Sequence, residues 1–413
     1  MLPSVKNVKL TYYTLTLFQT LAASLIWGIN TLFLLDAGLS NAQAFTANAF
    51  FTIGQVLFEI PTGVIADIRG RRLSYILGAA TLLITTLAYF WLWQIHGPFW
   101  AWALVSVLLG LGFTFFSGAT EAWLVDALNF NKFTGSLESV FAKGQVINGG
   151  AMLIGSVGGG LIAQATNLGV PYIVRAAILG ITLIIALIMM RDWGFTPQVG
   201  KSSLTQAKAI LSASLQVGIR NRPVRWIMLG APFTAGVGFY VFYAMQPHLL
   251  QLYGNPKAYG IAGLAAAIVA CAQIAGGLTV NYLIRFFRKR TTILISATAL
   301  STLSIFVLGF VTNFPTALVL IVVWALLFSM VVPVRQAYLN GLIESGQRAT
   351  VLSFDSLIGS TGGVVAQPIL GRTADVFGYA QSYLVSAIIQ SGAIPFLIAA
   401  RKQKARSDEI AKS

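Results

Sequence analysis

The chain has 413 residues, 56% hydrophobic and 9% charged, with a net charge of +15. A soluble protein carries about 25% charged residues, so lipid must be the solvent for most of this surface. The single cysteine, Cys271, excludes an intrachain disulfide and a cysteine metal site. The absence of HExxH, GxSxG and GxxxxGK[ST] leaves protease, hydrolase and nucleotide-driven readings without residues.

A spanning helix needs about 20 mainly apolar residues. In chain order, hydropathy predicts twelve such segments, near 12–35, 43–66, 73–95, 98–128, 140–165, 170–190, 225–252, 256–284, 291–312, 315–341, 349–370 and 378–400. The first is too long for a signal peptide and lacks a small-residue cleavage site, so it reads as retained. The expected fold is all-α and integral to the membrane, with twelve transmembrane helices in two six-helix bundles.

Basic residues set the orientation. The even-numbered connections and both termini hold most of them, including Lys6, Lys9, Arg69, Arg71, Arg72, Arg191, Arg220, Arg222, Arg288, Lys289, Arg290, Arg401 and Lys402. The odd-numbered connections and nearby ends hold only Arg175, Lys257 and Arg372. Both termini are therefore expected in the cytoplasm of a multi-pass cell-membrane protein. The positive charge reads as this asymmetry, not as a nucleic-acid footprint. Arg175 is expected to snorkel to the headgroups, and His248, after Pro247, to sit at the outer mouth.

The longest connection, 191–224, is central. Leu204, Ala207, Leu211 and Leu215 fall on one helical face there, predicting a short helix on the inner membrane surface. The domains are expected as 1–190, an N-terminal six-helix bundle; 191–224, the linker; and 225–413, a C-terminal bundle with a basic tail. Repeats support two halves. Gly159-Gly160-Leu161-Ile162-Ala163-Gln164 matches Gly362-Gly363-Val364-Val365-Ala366-Gln367, and Gly63, Asp67 and Arg71 align with Gly277, Asn281 and Arg285. Six plus six segments around a central loop describe a transporter of parallel repeats.

Between segments two and three stands G-x-x-x-D-x-x-G-R-R: Gly63, Asp67, Gly70, Arg71 and Arg72. With the segment count and central loop, the chain resembles the major facilitator superfamily over essentially its whole length. Glu59-Ile60-Pro61-Thr62 and Glu121-Ala122-Trp123-Leu124-Val125-Asp126 resemble its drug-efflux-like branches. The resemblance implies a conformational latch: Asp67 facing the start of segment eleven, and Arg71 or Arg72 facing Asp126. A carboxylate near a helix N-terminus is stabilised by about 0.3–1 kcal/mol. The alternative is that these arginines only anchor helix ends.

Several departures matter. Where proton antiporters carry an arginine in segment four, this chain has Ser106 before Gly110. In segment five, Ala151, Gly155, Ser156, Gly159 and Gly160 match an antiporter glycine pattern without its proline, which reads either as close packing or as an antiport-type helix.

Charges inside apolar segments are few and costly. Candidate proton or ion-coupling residues are Glu59, Asp36, Glu121, Arg335 and Asp355. Glu59 reads as a proton site or an ion-pair partner, and Asp36 as a solvated exit or a coupling site. Glu121 faces the cavity or pairs across to the other half. Arg335 and Asp355 are expected to pair, structurally or as an anion or proton site. By resemblance, segments one, four, seven and ten line a midplane cavity. Their middle positions hold Trp27, Asn30, Phe113, Phe116, Phe239, Tyr240, Tyr243, Gln246, Trp324 and Phe328. That lining suits an amphipathic or neutral ligand. The expected function is alternating-access transport of a lipophilic or amphipathic small molecule, as efflux, with protons as the driving ion. Nutrient uptake, lipid export and a non-transporting sensor remain open. No catalytic residues, no cofactor and no metal are expected; the partners are a small-molecule substrate, protons and the lipid bilayer around a monomer.

Overall fold

The computed structural model describes residues 4–197, 220–343 and 348–410, so the helix expected at 204–215 lies outside the described residues. Helices appear where apolar runs are bracketed by caps. α1 is Val5–Ser24, α2 Asn30–Asp36, α3 Asn41–Arg69, α4 Arg71–Gln94, α5 Phe99–Thr114, α6 Ala119–Phe130, α7 Leu137–Ala165 and α8 Val170–Met189. The second half holds α9 Arg222–Tyr253, α10 Tyr259–Leu283, α11 Arg290–Leu308, α12 Phe314–Asn340, α13 Arg348–Phe377, α14 Tyr379–Ser391 and α15 Ala393–Lys402. Ser136 and Asn313 cap α7 and α12 by accepting the Ser139 and Thr316 N–H groups at 3.1 and 3.0 Å, each offsetting an orphan donor of the first turn.

Ten helices or helix pairs are long and apolar enough to cross a membrane, among the described residues. They exclude the first expected segment, which is broken between α1 and α2, and α13. The expected continuous fourth segment is also broken, at residues 115–118 between α5 and α6. Gly118 sits there at φ +67, a left-handed conformation that ends one helix and starts the next.

The chain divides into two compact units. Unit 1 is Met1–Gly38, Phe50–Thr205 and Lys257–Ala267; unit 2 is Leu39–Ala49, Gln206–Pro256 and Ile268–Ser413. The division does not follow a single cut in the chain: the start of α3 falls in unit 2 and the start of α10 in unit 1.

In unit 1, α1 packs on α7 and α8, and α4 on α5 and α8. The small residues of α7 allow this approach. Ser24 donates to the Ala151 carbonyl at 3.2 Å, and a methyl at Gly159 would overlap the Leu25 carbonyl. The segment-five glycine pattern thus serves close helix packing. At the start of α10, the Gly260 N–H is taken by the Gln164 side chain at 2.8 Å.

In unit 2, α9 packs on α13 and α15, and α11 on α12. A methyl at Gly362 would overlap the Pro232 carbonyl, which explains the second glycine pair of the repeat. The first N–H groups of α3, at Asn41 and Ala42, are held by the two Asp375 carboxylate oxygens at 2.8 and 2.9 Å. Tyr379 adds a hydroxyl bond to the Asn41 side chain. The basic tail is docked as far as Ile410. Asp408 accepts the Thr291 N–H at 2.8 Å and its hydroxyl at 2.9 Å, while Arg290 donates to the Ser407 and Glu409 carbonyls at 2.6 and 2.8 Å. Ala405 and Ile410 pack on a core that includes Val224, Leu294, Tyr338 and Val351.

Candidate functional site

The charged motif lies in unit 1 around the junction of α3 and α4. Asp67 and Arg71, one turn apart, pair at 2.5 Å, and Arg71 Nε stands 4.0 Å from Asp126. The Asp67 side chain is 40% exposed, so this pair contributes only about 0.3–0.5 kcal/mol. Arg72 is engaged elsewhere. Its N–H donates to Asp192 at 2.8 Å and its guanidinium to the Leu187 carbonyl at 2.9 Å. Asp192 occupies the space a side chain at Gly70 would fill, and Gly70 has φ +107. Among the described residues, none crowds Gly63. Burial raises the Asp192 carboxyl above its ordinary value, against the lowering effect of the Arg72 N–H and the nearby guanidinium groups. Sequence reasoning passed over Asp192; its one signal was an acidic residue directly after a segment end.

Three other carboxylates of unit 1 are exposed. Glu59 is exposed and accepts the Ser117 hydroxyl at 2.6 Å, at the break between α5 and α6. Asp36, also exposed, accepts the Trp93 indole N–H at 2.8 Å. Glu121 is exposed in the first turn of α6, where the helix dipole favours a negative charge. Arg175 corrects an expectation: it is 2% exposed, so it lies inside the unit and does not snorkel.

Of the aromatic and amide positions expected to line a cavity, several are engaged in packing. Trp27 is half-buried, and Asn30 accepts the Tyr172 hydroxyl at 3.0 Å in the interior. Phe113 packs edge-on to Phe51, and Phe116 is buried against Tyr75. In unit 2, Tyr240 is fully buried and shares a 2.5 Å hydrogen bond with Ser382. Tyr243 is half-buried and Gln246 is buried. Trp324 is buried and stacks on Phe328 at 5.3 Å. His248, expected at an outer mouth, is 3% exposed and lies against the Tyr379 and Tyr383 rings.

Unit 2 holds a half-open cavity of about 300 Å³ among α9, α11, α12, α13 and α14. Arg335 and Asp355 form an ion pair in its wall, as their charges in apolar segments led one to expect. Arg335 also donates to the Ile227 carbonyl at 3.3 Å. Phe239 and Phe328 supply the apolar wall. A methyl at Gly238 would strike the Phe328 ring, and one at Gly363 the Phe239 ring, so both rings rest in slots left by glycine. The polar wall includes Thr298, Ser301, Gln336 and Gln390. Sequence reading did not single these out, because uncharged polar residues in apolar helices are common and carry no orientation. Gln390 donates both amide hydrogens, to Ser301 at 2.9 Å and Thr302 at 3.1 Å, and its carbonyl oxygen is buried without a hydrogen bond among the described residues. The Thr298 hydroxyl is in the same condition. The arrangement can hold a small solute between apolar rings and hydrogen-bonding groups.

Comparisons with known proteins agree with this architecture. The sequence profile of the Major Facilitator Superfamily matches residues 12–366 and 257–411. An uncharacterized MFS-type transporter, YxaM of Bacillus subtilis (strain 168), is 22% identical over 386 residues, spanning 91% of this chain and 92% of the relative. The nucleoside transporter NupG superposes with a TM-score of 0.78 at 13% identity, covering 96% of this chain and 99% of that one. A D-xylose–proton symporter gives 0.69 at 16% identity, covering 96% and 97%. A bacterial homologue of the human lysosomal transporter Spinster gives 0.70 at 16% identity, covering 100% and 99%. With helix-bundle units, a repeat that spans them and a profile match along most of its length, the chain belongs to the Major Facilitator Superfamily of transporters.

Proposed function

We propose that the chain is a secondary active transporter that moves a small amphipathic molecule by alternating access, with efflux driven by proton exchange as the first reading. The observation that carries this reading is the unit 2 cavity, which Phe239 and Phe328 line together with the Arg335–Asp355 pair and Gln390. A lining of both rings and polar groups suits an amphipathic solute better than a wholly lipophilic one. Glu59, Asp36 and Glu121 are the accessible carboxylates for proton carriage, and the Arg335–Asp355 pair is the buried candidate. Asp67 and Arg71, with Gly63, Gly70, Arg72 and Asp126, are the groups proposed for the latch. The distribution of basic residues supports a cell-membrane location with both termini in the cytoplasm.

A second reading, uptake of a polar metabolite, is favoured by the amide and hydroxyl lining, and by fold neighbours that include a nucleoside transporter and a D-xylose–proton symporter. The test uses sealed everted vesicles containing the chain. Under the efflux reading, adding a transported amphipathic compound releases protons from an imposed gradient, and the compound accumulates inside. Accumulation only in right-side-out vesicles establishes uptake. No movement of any compound in either orientation overturns the transport reading.

A further inference from the structure

The charge state of the unit 2 cavity constrains what it can hold, and this deepens the transport reading, on which it rests. Arg335 and Asp355 pair in the cavity wall, so the site carries one positive and one negative group and no net charge. Their side chains are 21% and 11% exposed, too little for water to screen a third charge well. A charged solute would either compete with one partner for the other or stand uncompensated, and an unpaired charge in such surroundings is costly.

The remaining hydrogen-bonding capacity is mixed. A guanidinium has five N–H donors, and the Arg335 bonds to Asp355 and the Ile227 carbonyl both use Nη2. Both Gln390 amide hydrogens are committed, which leaves its carbonyl oxygen as an acceptor, and among the described residues that oxygen has no donor. Gln390 is 1% exposed and Thr298 2%, so both polar groups lie in the interior of the unit. An orphaned acceptor of this kind costs free energy until a donor reaches it. Phe239 and Phe328, seated over Gly363 and Gly238, give the site apolar ring faces.

We infer that this cavity is a solute site selective for uncharged flat molecules carrying both a hydrogen-bond donor and an acceptor, with Gln390 and the neutralised Arg335–Asp355 pair as the discriminating groups. The donor of the solute meets Gln390, its acceptor meets the free N–H groups of Arg335, and its ring lies against the phenylalanines. An organic anion or cation of the same shape is refused because the pair is already satisfied.

Benzamide, benzoate and benzamidinium test this, since they share one shape and differ in charge. Binding of each to the purified full-length chain in nanodiscs is measured by calorimetry. The expected order is benzamide first, by roughly tenfold or more over either ion. Gln390→Leu should weaken benzamide by about tenfold, the loss of one buried hydrogen bond, without changing the order of the ions. Asp355→Asn leaves Arg335 uncompensated and should bring benzoate to the front; Arg335→Gln should do the same for benzamidinium. Thermal unfolding of each variant verifies its fold, and Gln390→Leu carries the test if the charge variants do not fold. Wild-type protein that prefers an ion, binds none of the three, or binds benzamide equally well after Gln390→Leu overturns the inference. Binding in the expected order without transport in vesicles would instead retire the transport reading and leave the site intact.

Discussion

The two units close the same helix end in the same way, yet place their charges differently. In unit 1 the first turn of α4 is held by Asp192, which follows α8. In unit 2 the first turn of α11 is held by Asp408, which follows α15. Each carboxylate comes from just beyond the last helix of its half and satisfies an N–H that would otherwise be orphaned. The arginine beside each cap then diverges. Arg71 faces the carboxylates of Asp67 and Asp126, whereas Arg290 is occupied by the tail carbonyls of Ser407 and Glu409. Unit 1 therefore keeps a partly exposed ion pair between side chains, and unit 2 an arginine closed off by backbone carbonyls. Conversely, the interior ion pair lining a cavity belongs to unit 2, and the carboxylates of Glu59, Asp36 and Glu121 in unit 1 stay accessible. The repeat preserves what helix ends require and leaves the remaining charge free to specialise.

Removing Asp67 from the proposed latch should have the largest effect on activity, well beyond the small contribution of the Asp67–Arg71 pair to stability. Asp67→Asn is expected to reduce vesicle transport by more than about tenfold, at the scale of ~1.4 kcal/mol or more in the population of one state, with membrane expression unchanged. Normal transport by that variant removes the latch. The buried pair should dominate stability. Asp355→Ala strands Arg335 and should cost about 3 kcal/mol in unfolding of the solubilised chain, while the double change Arg335→Met with Asp355→Leu should recover most of it. Equal losses in the single and double variants would mean that the pair packs rather than neutralises.

The caps come next. Asp408→Ala should cost about 1–2 kcal/mol, because it frees both an N–H and a hydroxyl of Thr291. Proteolysis of the tail should accelerate in step. The smallest effect belongs to Asp192. Its carboxyl is raised in the folded chain by burial, so the folded state holds its proton more tightly than the unfolded state does. The stability linked to that proton is fully present below the ordinary carboxylate value and is lost as pH rises through the raised one. Asp192→Asn keeps an acceptor for the Arg72 N–H without the charge, so it should match or exceed wild type near pH 7. The wild type should gain on it as the pH falls toward the carboxylate range. A wild type that instead loses ground to Asp192→Asn on acidification would reverse the sign.

Much of the fold was legible because lipid demands long apolar runs, and the helices follow the predicted segments closely. The break at 115–118 was hidden because FTFFSG is as apolar as the helix around it. The Arg335–Asp355 pair could be anticipated, since two opposite charges in neighbouring apolar segments have few other ways to be satisfied. The interior positions of Arg175 and His248 could not, because hydropathy does not fix rotation about a helix axis. Gln390 escaped notice for a related reason: its importance lies in which of its atoms are already bonded, and a sequence carries no record of that. Asp192 and Asp408 lie past the ends of apolar runs, where a segment-based reading stops.

The clasp at Asp408 also has a consequence in time. The α11 residue it holds is made 117 residues earlier, and the corresponding span for Asp192 and Arg72 is 120. At about 5–20 residues per second, each half waits roughly 6–24 s on the ribosome before its own fastening arrives. During that interval the first N–H groups of α4 or α11 lack the carboxylate that later holds them. A chain released before Ile410 would never complete the second fastening, so an affinity tag or reporter fused at the C-terminus should begin beyond it.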